Sequence, residues 1–116
     1  MLSIVEYEWG LVTLSDGREF GDIMIHPEGI EKWDWKVCNT SHSGLGIRAV
    51  EYLYSKGSEY VIVSTGFYER IKIPYVTEAL ILNNNGIIAS TGDAIDHYNK
   101  AIDRGIGVGL LLHTTC

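Results

Sequence analysis

The feature that most constrains the fold is an apolar run followed at once by a short polar segment. The run is Val108–Leu112, and His113, Thr114, Thr115 and Cys116 follow it. A short, wholly apolar run bounded by polar residues is typical of a strand that is covered on both faces. We therefore expect a buried strand that delivers an imidazole and a thiol to a surface.

The size and charge of the chain limit the classes of protein to consider. With 116 residues and 46% hydrophobic content, it suits one compact domain, 1–116. Its formal net charge is −6, from 15 acidic residues against nine Lys and Arg, and the basic residues are scattered. We therefore expect no nucleic-acid partner and no anionic membrane surface as partner, because such surfaces need clustered cations.

The beginning of the sequence and its cysteines bear on location. Met1–Glu8 has neither a basic leading region nor a long apolar block, so it does not resemble a signal peptide. The longest apolar run is too short to cross a bilayer. Cys38 and Cys116 form no disulfide framework. We expect a cytoplasmic protein.

The first third of the sequence has the pattern of strands and turns. Trp9–Leu14 and Phe20–His26 are predicted strands, and the Asp-Gly pair within Ser15–Arg18 predicts a hairpin turn between them. Alternation of Trp33, Trp35 and Val37 with charged residues predicts a half-buried strand.

The remainder alternates between helical and strand patterns. Three helices are predicted, one from Gly46 to Gly57, one from Val76 to Asn83 and one capped by Thr91 and closed by Gly105. The strands between and after them are Tyr60–Thr65, Ile87–Ser90 and Val108–Leu112. This order after an initial β meander predicts an α/β layer with the hairpins at one edge.

Nine short segments, in the same order along nearly the whole chain, resemble a known family. It is the small domain of unknown function found in the adipogenesis-associated domain-containing protein and in archaeal and bacterial hypothetical proteins, with a mitochondrial complex I assembly factor as a more distant relative. The segments are Trp9-Gly10, Asp22-Ile23, Pro27-Glu28-Gly29, Trp33-Asp34-Trp35, Thr40–Ser43, Val61–Gly66, Lys72-Ile73-Pro74, Ala94–Asn99 and His113–Cys116.

The resemblance implies a three-layer α/β fold, with a central mixed sheet, flanking helices and an added β-hairpin region. It implies no established catalytic activity. Cys38 lies outside the family's pattern, so any chemistry that depends on it belongs to this chain alone.

Four residues have spacings that suit a metal ion. Cys38 and His42 are spaced C-x3-H, and His113 and Cys116 are spaced H-x2-C. Two thiolates and two imidazoles are suitable ligands for tetrahedral zinc. Each pair is short and common, however, so two unrelated surface segments are the competing interpretation. We expect no metal and no other cofactor.

Cys116 is also a candidate nucleophile, with His113 or His42 as its base. A neighbouring imidazole can lower the pKa of a thiol and supply the thiolate. If Cys116 is the terminal residue, its own main-chain carboxylate would disfavour the negatively charged thiolate. The competing interpretation is that Thr114, Thr115 and Cys116 fasten the end of the sequence to the domain by hydrogen bonds and packing.

Two further segments are candidates for ligand binding. Thr40, Ser41 and His42 begin a polar, glycine-rich loop before a helix, where backbone amides can hold an anion. Helix capping by a serine of that loop is the alternative. Gly66 and Phe67 follow a predicted central strand, where open α/β sheets place their clefts, although Gly66 also suits a turn with positive φ.

These patterns favour an interaction or assembly role without catalysis, because no complete catalytic constellation is present. The expected partner is an unidentified protein or a small molecule. The alternative is a protein that binds a small molecule or anion, or a Cys/His-dependent enzyme, with a cleft at the carboxyl ends of the strands.

Overall fold

The structure is a computed structural model that describes residues 1–33, 40–41 and 44–115. The strands are β1 (Ile4–Glu8), β2 (Leu11–Leu14), β3 (Glu19–Phe20), β4 (Ile23–His26), β5 (Gly29–Lys32), β6 (Thr40–Ser41), β7 (Gly44–Leu45), β8 (Tyr60–Ser64), β9 (Gly86–Ala89) and β10 (Val108–Leu112). The helices are α1 (Ile47–Ser55), α2 (Tyr75–Leu82) and α3 (Thr91–Asp103).

The central sheet has five strands in the order β5-β4-β10-β8-β9. β10 pairs in parallel with β8 and antiparallel with β4, and β9 continues the parallel side. All five residues of β10 are buried, because strands flank it on both sides and side chains cover both faces of the sheet. The predicted buried strand is thus the middle of a mixed sheet.

Each face of the central sheet has its own apolar core. On one face, residues of α1 and α2 pack with Val61, Val63 and Leu111. On the other face, α3 and the small antiparallel sheet β1-β2-β3 pack with Ile62, Leu110 and Leu112. Alternate residues of β8 and β10 therefore point to opposite cores, as strand geometry requires. The predicted three-layer α/β class is confirmed.

The first third differs from its prediction in how the strands are divided. The Asp16-Gly17 turn joins β2 and β3 as expected, and Gly17 has a φ of +90°. Phe20–His26 is not one strand, because the chain leaves the small sheet after Phe20 and enters the central sheet at Ile23. β1 was not predicted, since only Ile4 of its five residues is buried. Trp33 is buried, and residues 34–39 lie outside the described residues.

The three helices occupy the predicted regions, with one change at the start of α3. The first helical residue is Thr91 and the N-cap is Ser90, which makes no side-chain capping bond. The expectation that Thr91 caps this helix is therefore wrong. Its hydroxyl is buried and bonds elsewhere, as described below.

Candidate functional site

Three parallel strands end at the same edge of the central sheet and bring several predicted residues together. β8 leads into Gly66 and Phe67, and β10 leads into His113. The N–H of Phe67 donates to the carbonyl of Thr115 at 2.9 Å. Gly66, Phe67 and the segment 113–115 therefore lie side by side at the carboxyl ends of the strands.

The imidazole of His113 is buried, with only 2% of the residue exposed. Its Nδ1 lies 2.8 Å from Oδ2 of Asp22, and its Nε2 lies 3.2 Å from Oγ1 of Thr115. Because an ionised carboxylate only accepts hydrogen bonds, Nδ1 carries the proton in this pair. Trp33 contacts the ring edge-on, with the centroids 6.4 Å apart.

The backbone carbonyl of His113 is also held. The Thr91 hydroxyl donates to it at 2.6 Å, and the Ser64 hydroxyl donates to it at 3.3 Å. The two hydroxyl oxygens are 3.2 Å apart and both side chains are buried. These polar groups thus satisfy one another inside the protein, as buried polar groups must.

The carboxylate of Asp22 accepts several hydrogen bonds from the segment that follows β10. Besides the imidazole, its carboxylate accepts from the backbone N–H of Thr114 at 2.8 Å and from the Thr114 hydroxyl at 2.9 Å. Burial acts to raise the pKa of Asp22, but the hydrogen bonds from His113 and Thr114 outweigh it, and the pKa lies below its ordinary value. Asp22 is therefore ionised at neutral pH.

Gly66 adopts the turn conformation that only glycine takes easily, with a φ of +103°. Its N–H is bonded to the Ser64 hydroxyl at 3.2 Å, and its carbonyl accepts from the N–H of Thr91. The backbone of Gly66 is thus engaged in the same network that holds His113.

Three of the predicted site residues, Cys38, His42 and Cys116, lie outside the described residues. The zinc set and the Cys116 nucleophile therefore stay predictions. Thr40 and Ser41 form the short strand β6, paired with β7. Among the described residues, no three His, Cys, Asp or Glu side chains gather closely enough to hold a metal ion.

A group of four aromatic side chains, three of them exposed and one half-buried, adjoins this network. We call Tyr7, Trp9, Phe67 and Tyr68 the aromatic surface. Phe67 packs against Trp9 with ring centroids 5.7 Å apart and against Tyr7 at 6.1 Å, and Trp9 packs against Tyr68 at 5.6 Å. Trp9 is 53% exposed and Tyr68 is 69% exposed. The rings therefore cover one another on one side and face solvent on the other.

The network positions the aromatic surface through two backbone hydrogen bonds. The N–H of Gly10, next to Trp9, donates to the carbonyl of Thr114 at 2.7 Å, and the N–H of Phe67 donates to Thr115. Gly10 has a φ of +80°, which turns the chain between β1 and β2. Both loops that carry the aromatic rings are thus fastened to the segment after β10.

Sequence reasoning missed Asp22 and the exposure of Trp9 and Tyr68. Trp33, which was predicted within a half-buried strand, is buried. The signal for Asp22 was a lone carboxylate between Phe20 and Ile23, inside a stretch interpreted as one apolar strand. Its partners are about 90 positions away, so no local pattern reveals them.

A second buried histidine shows how this fold holds imidazoles. Nε2 of His26 lies 2.6 Å from Glu31, and Nδ1 accepts the backbone N–H of Glu28 at 3.2 Å. Nδ1 therefore acts as the acceptor of this ring and Nε2 as its donor. Hydrogen bonds from Tyr52 and from His26 lower the pKa of Glu31. Both described buried histidines are thus paired with carboxylates on neighbouring strands or loops.

No helix within the described ranges is long and apolar enough to cross a membrane. Solved structures share the whole fold. "MT938" is 23% identical with a TM-score of 0.78, and all of both chains is covered. The conserved hypothetical protein PH1505 from Pyrococcus horikoshii OT3 is 28% identical with a TM-score of 0.75, over 98% of this chain and 99% of that one.

A protein described as an outer membrane protein from Bartonella henselae is 21% identical with a TM-score of 0.75, over 99% of this chain and 96% of that one. At such identity the likeness concerns the fold. The family model described as "Protein of unknown function (DUF498/DUF598)" matches residues 4–113. Because this match spans nearly the whole sequence, the chain belongs to the DUF498/DUF598 family.

Proposed function

We propose that this chain is a protein-interaction domain of an assembly type, without catalysis of its own, and that it docks through the aromatic surface. The observation that carries the proposal is the exposure of Trp9 and Tyr68 within a group of rings held in fixed positions. Trp and Tyr dominate the energy of protein interfaces, because they bury large areas at little entropic cost. The resemblance to an assembly factor supports the same role.

The charge around the aromatic surface indicates the chemistry of the partner. Glu8 and Glu69 are exposed and are the chain neighbours of Trp9 and Tyr68, and the net charge is −6. We propose a cytoplasmic protein partner that presents an apolar anchor within a basic rim. Such a complex associates more slowly as salt rises, because opposite charges steer the encounter.

The hydrogen-bond network has a structural role in this proposal. With Asp22 and Thr115 on its two ring nitrogens and 2% exposure, His113 is suited to fastening the segment 113–115 under the aromatic loops. Its function is then to fix the positions of Gly10 and Phe67. A rigid surface of this kind keeps the entropic cost of docking low.

The experiment is site-specific photo-crosslinking in cells, with a photoreactive phenylalanine analogue at position 68. We expect one stoichiometric crosslinked protein, which Trp9→Ala abolishes. Tyr75→Ala is the matched control, since Tyr75 is 83% exposed but lies on α2. A crosslink that survives Trp9→Ala, or that is lost equally with Tyr75→Ala, would contradict the aromatic surface as the docking site.

A Cys/His-dependent reaction is the second candidate, and the His113–Asp22 pair is the observation in its favour. An imidazole oriented by a carboxylate is the arrangement that activates a nucleophile. The test is the alkylation rate of Cys116 against pH in the parent and in Asp22→Asn. A thiol pKa well below about 8.5 that rises in the variant would support this candidate. An ordinary pKa in both would reject it.

A further inference from the structure

We propose that the free edge of β9 and the cleft beside it bind the carboxyl-terminal segment of another protein as an added antiparallel strand. This surface lies at the amino ends of the parallel strands, away from the aromatic surface. The inference does not depend on the proposed docking function.

β9 is an edge strand with unpaired backbone groups. It bonds to β8 on one side only. The carbonyls of Asn85 and Ala89 accept from Val61 and Thr65, and alternate residues of a parallel strand face the same neighbour. The N–H and C=O of Gly86 and Ile88 therefore point to the open edge, where no described residue bonds to them. Such an edge is a template for one more strand.

A cleft of about 710 Å³ opens at the start of this strand, which is within the size range of ligand sites. Its apolar lining includes Tyr60, Leu82 and Ile106. Leu82, the last residue of α2, is 54% exposed. The cleft therefore has room and apolar surface for the last side chain of a peptide.

Basic side chains line one side of the same cleft. His97 and Lys100 lie on α3 and Arg104 is its C-cap, at spacings of three and four residues that place them on one side of the helix. Lys100 is paired with Asp96 at 2.9 Å, and the described residues offer Arg104 no ion-pair partner. The carboxylate of Glu59 also lines the cleft. Arg104 is thus the cation of the lining that is open to a carboxylate, and Lys100 can share its charge between that carboxylate and Asp96.

The direction of the peptide follows from these positions. The cleft adjoins Gly86, the first residue of β9, so an antiparallel strand ends there with its carboxyl terminus. The terminal carboxylate then meets Lys100 and Arg104, and the last side chain meets Leu82. Backbone bonds to Ile88 supply affinity, while the cleft selects a free carboxyl end with an apolar last residue.

The test begins with a library of hexapeptides that end in Leu, Ile, Val or Phe with a free carboxyl group. The tightest binder is then made as the free acid, as the terminal amide and with single N-methyl groups along its backbone. We expect the amide to bind about 10-fold more weakly or worse, because it loses charge-assisted hydrogen bonds. N-methylation should weaken binding at every second residue only.

Two double variants of the protein are compared, and each removes two positive charges. The double variant Lys100→Ala/Arg104→Ala should weaken the free acid about as much as amidation does, and should leave the amide unchanged. Arg70→Ala/Lys72→Ala removes two exposed cations elsewhere and should bind like the parent. Trp9→Ala should also bind like the parent, so failure of the docking function and failure of this site are distinguishable.

Three results would overturn the proposal. One is the absence of any peptide that binds below about 1 mM. Another is equal binding of acid and amide. The third is a dimer in light scattering whose Ile88 amide is already protected from hydrogen exchange, since a second copy would then occupy the edge.

Discussion

The imidazole of His113 lies 2.8 Å from the carboxylate of Asp22, across 91 positions of sequence. This pair ties the segment after the central strand to the link between the small sheet and the central sheet. Since the same carboxylate also accepts two bonds from Thr114, one side chain fixes both layers relative to each other.

Replacement of Asp22 by Ala should lower the free energy of unfolding by about 2–3 kcal/mol, because three donors lose a charged acceptor in a buried place. The measurement is urea denaturation at pH 7. Asp103→Ala is the control, since Asp103 is exposed at the end of α3 and should leave the midpoint unchanged. Equal midpoints for Asp22→Ala and the parent would show that the network adds no stability.

The same carboxylate predicts a loss of stability in acid. The pKa of Asp22 is lower in the folded chain than its ordinary value of 3.8, so the unfolded chain takes up the proton first as pH falls. The contribution of ionised Asp22 to the free energy of unfolding is complete above its ordinary pKa, and it is lost as the pH falls through the pKa of Asp22 in the folded chain. Urea midpoints between about pH 6 and pH 2 should therefore fall more steeply for the parent than for Asp22→Ala. Parallel curves would contradict this.

Thr91→Val keeps the shape of the side chain and removes the hydroxyl that donates to His113 at 2.6 Å. We expect a loss of about 1–2 kcal/mol in the free energy of unfolding, since a buried carbonyl loses its closest donor. Ser90→Ala, at the N-cap without a capping bond, should change it by less than about 0.5 kcal/mol. A larger loss of stability for Ser90→Ala than for Thr91→Val would mean that helix capping dominates at this helix start.

Gly86→Ala should destabilise the fold by about 1–3 kcal/mol through overpacking. A Cβ at this position would lie 2.6 Å from the carbonyl oxygen of Ile81 and 2.7 Å from its Cγ2, so α2 and β9 would have to move apart. Gly21→Ala is the matched control, because its nearest contact is 3.7 Å. Thermal unfolding of both variants distinguishes close packing from a general effect of losing glycine.

Burial raises the pKa of Tyr98 to about 12, and its hydroxyl donates to the carbonyl of Leu2. Tyrosinate absorbance should therefore include a step near pH 12, which Tyr98→Phe removes and Tyr75→Phe keeps. Because its pKa is raised in the folded chain, protonated Tyr98 contributes fully to the free energy of unfolding below the ordinary pKa of 10.0. This contribution is lost as the pH rises through about 12. A parent without that step would contradict the burial of this ring's hydroxyl.

What the sequence predicted depended on local pattern. β10 was predicted because five apolar residues in a row need no knowledge of their neighbours to be assigned to a buried strand. The helices were predicted in the same way, from spacing and from the residues that end them. β1 escaped because four of its five residues are exposed, so it has no apolar face to recognise.

The rest required distances that no local pattern contains. The division of Phe20–His26 depends on Asp22, whose partners follow β10. Thr91 carries the residue type of a cap, yet its hydroxyl bonds to His113, which is adjacent only after the sheet forms. The exposure of Trp9 likewise depends on Phe67 and on the Gly10 bond to Thr114, neither of which is near it in a local sequence pattern.

The position of β10 also governs the order in which the fold can form. It is the middle strand of the central sheet, but it follows every other strand and helix that the structure describes. Until Val108–Leu112 leave the ribosome, β4 with β5 and β8 with β9 have no strand to join them, and their apolar faces lack a complete core. The central sheet can therefore close only when the last of the described strands is added at its middle.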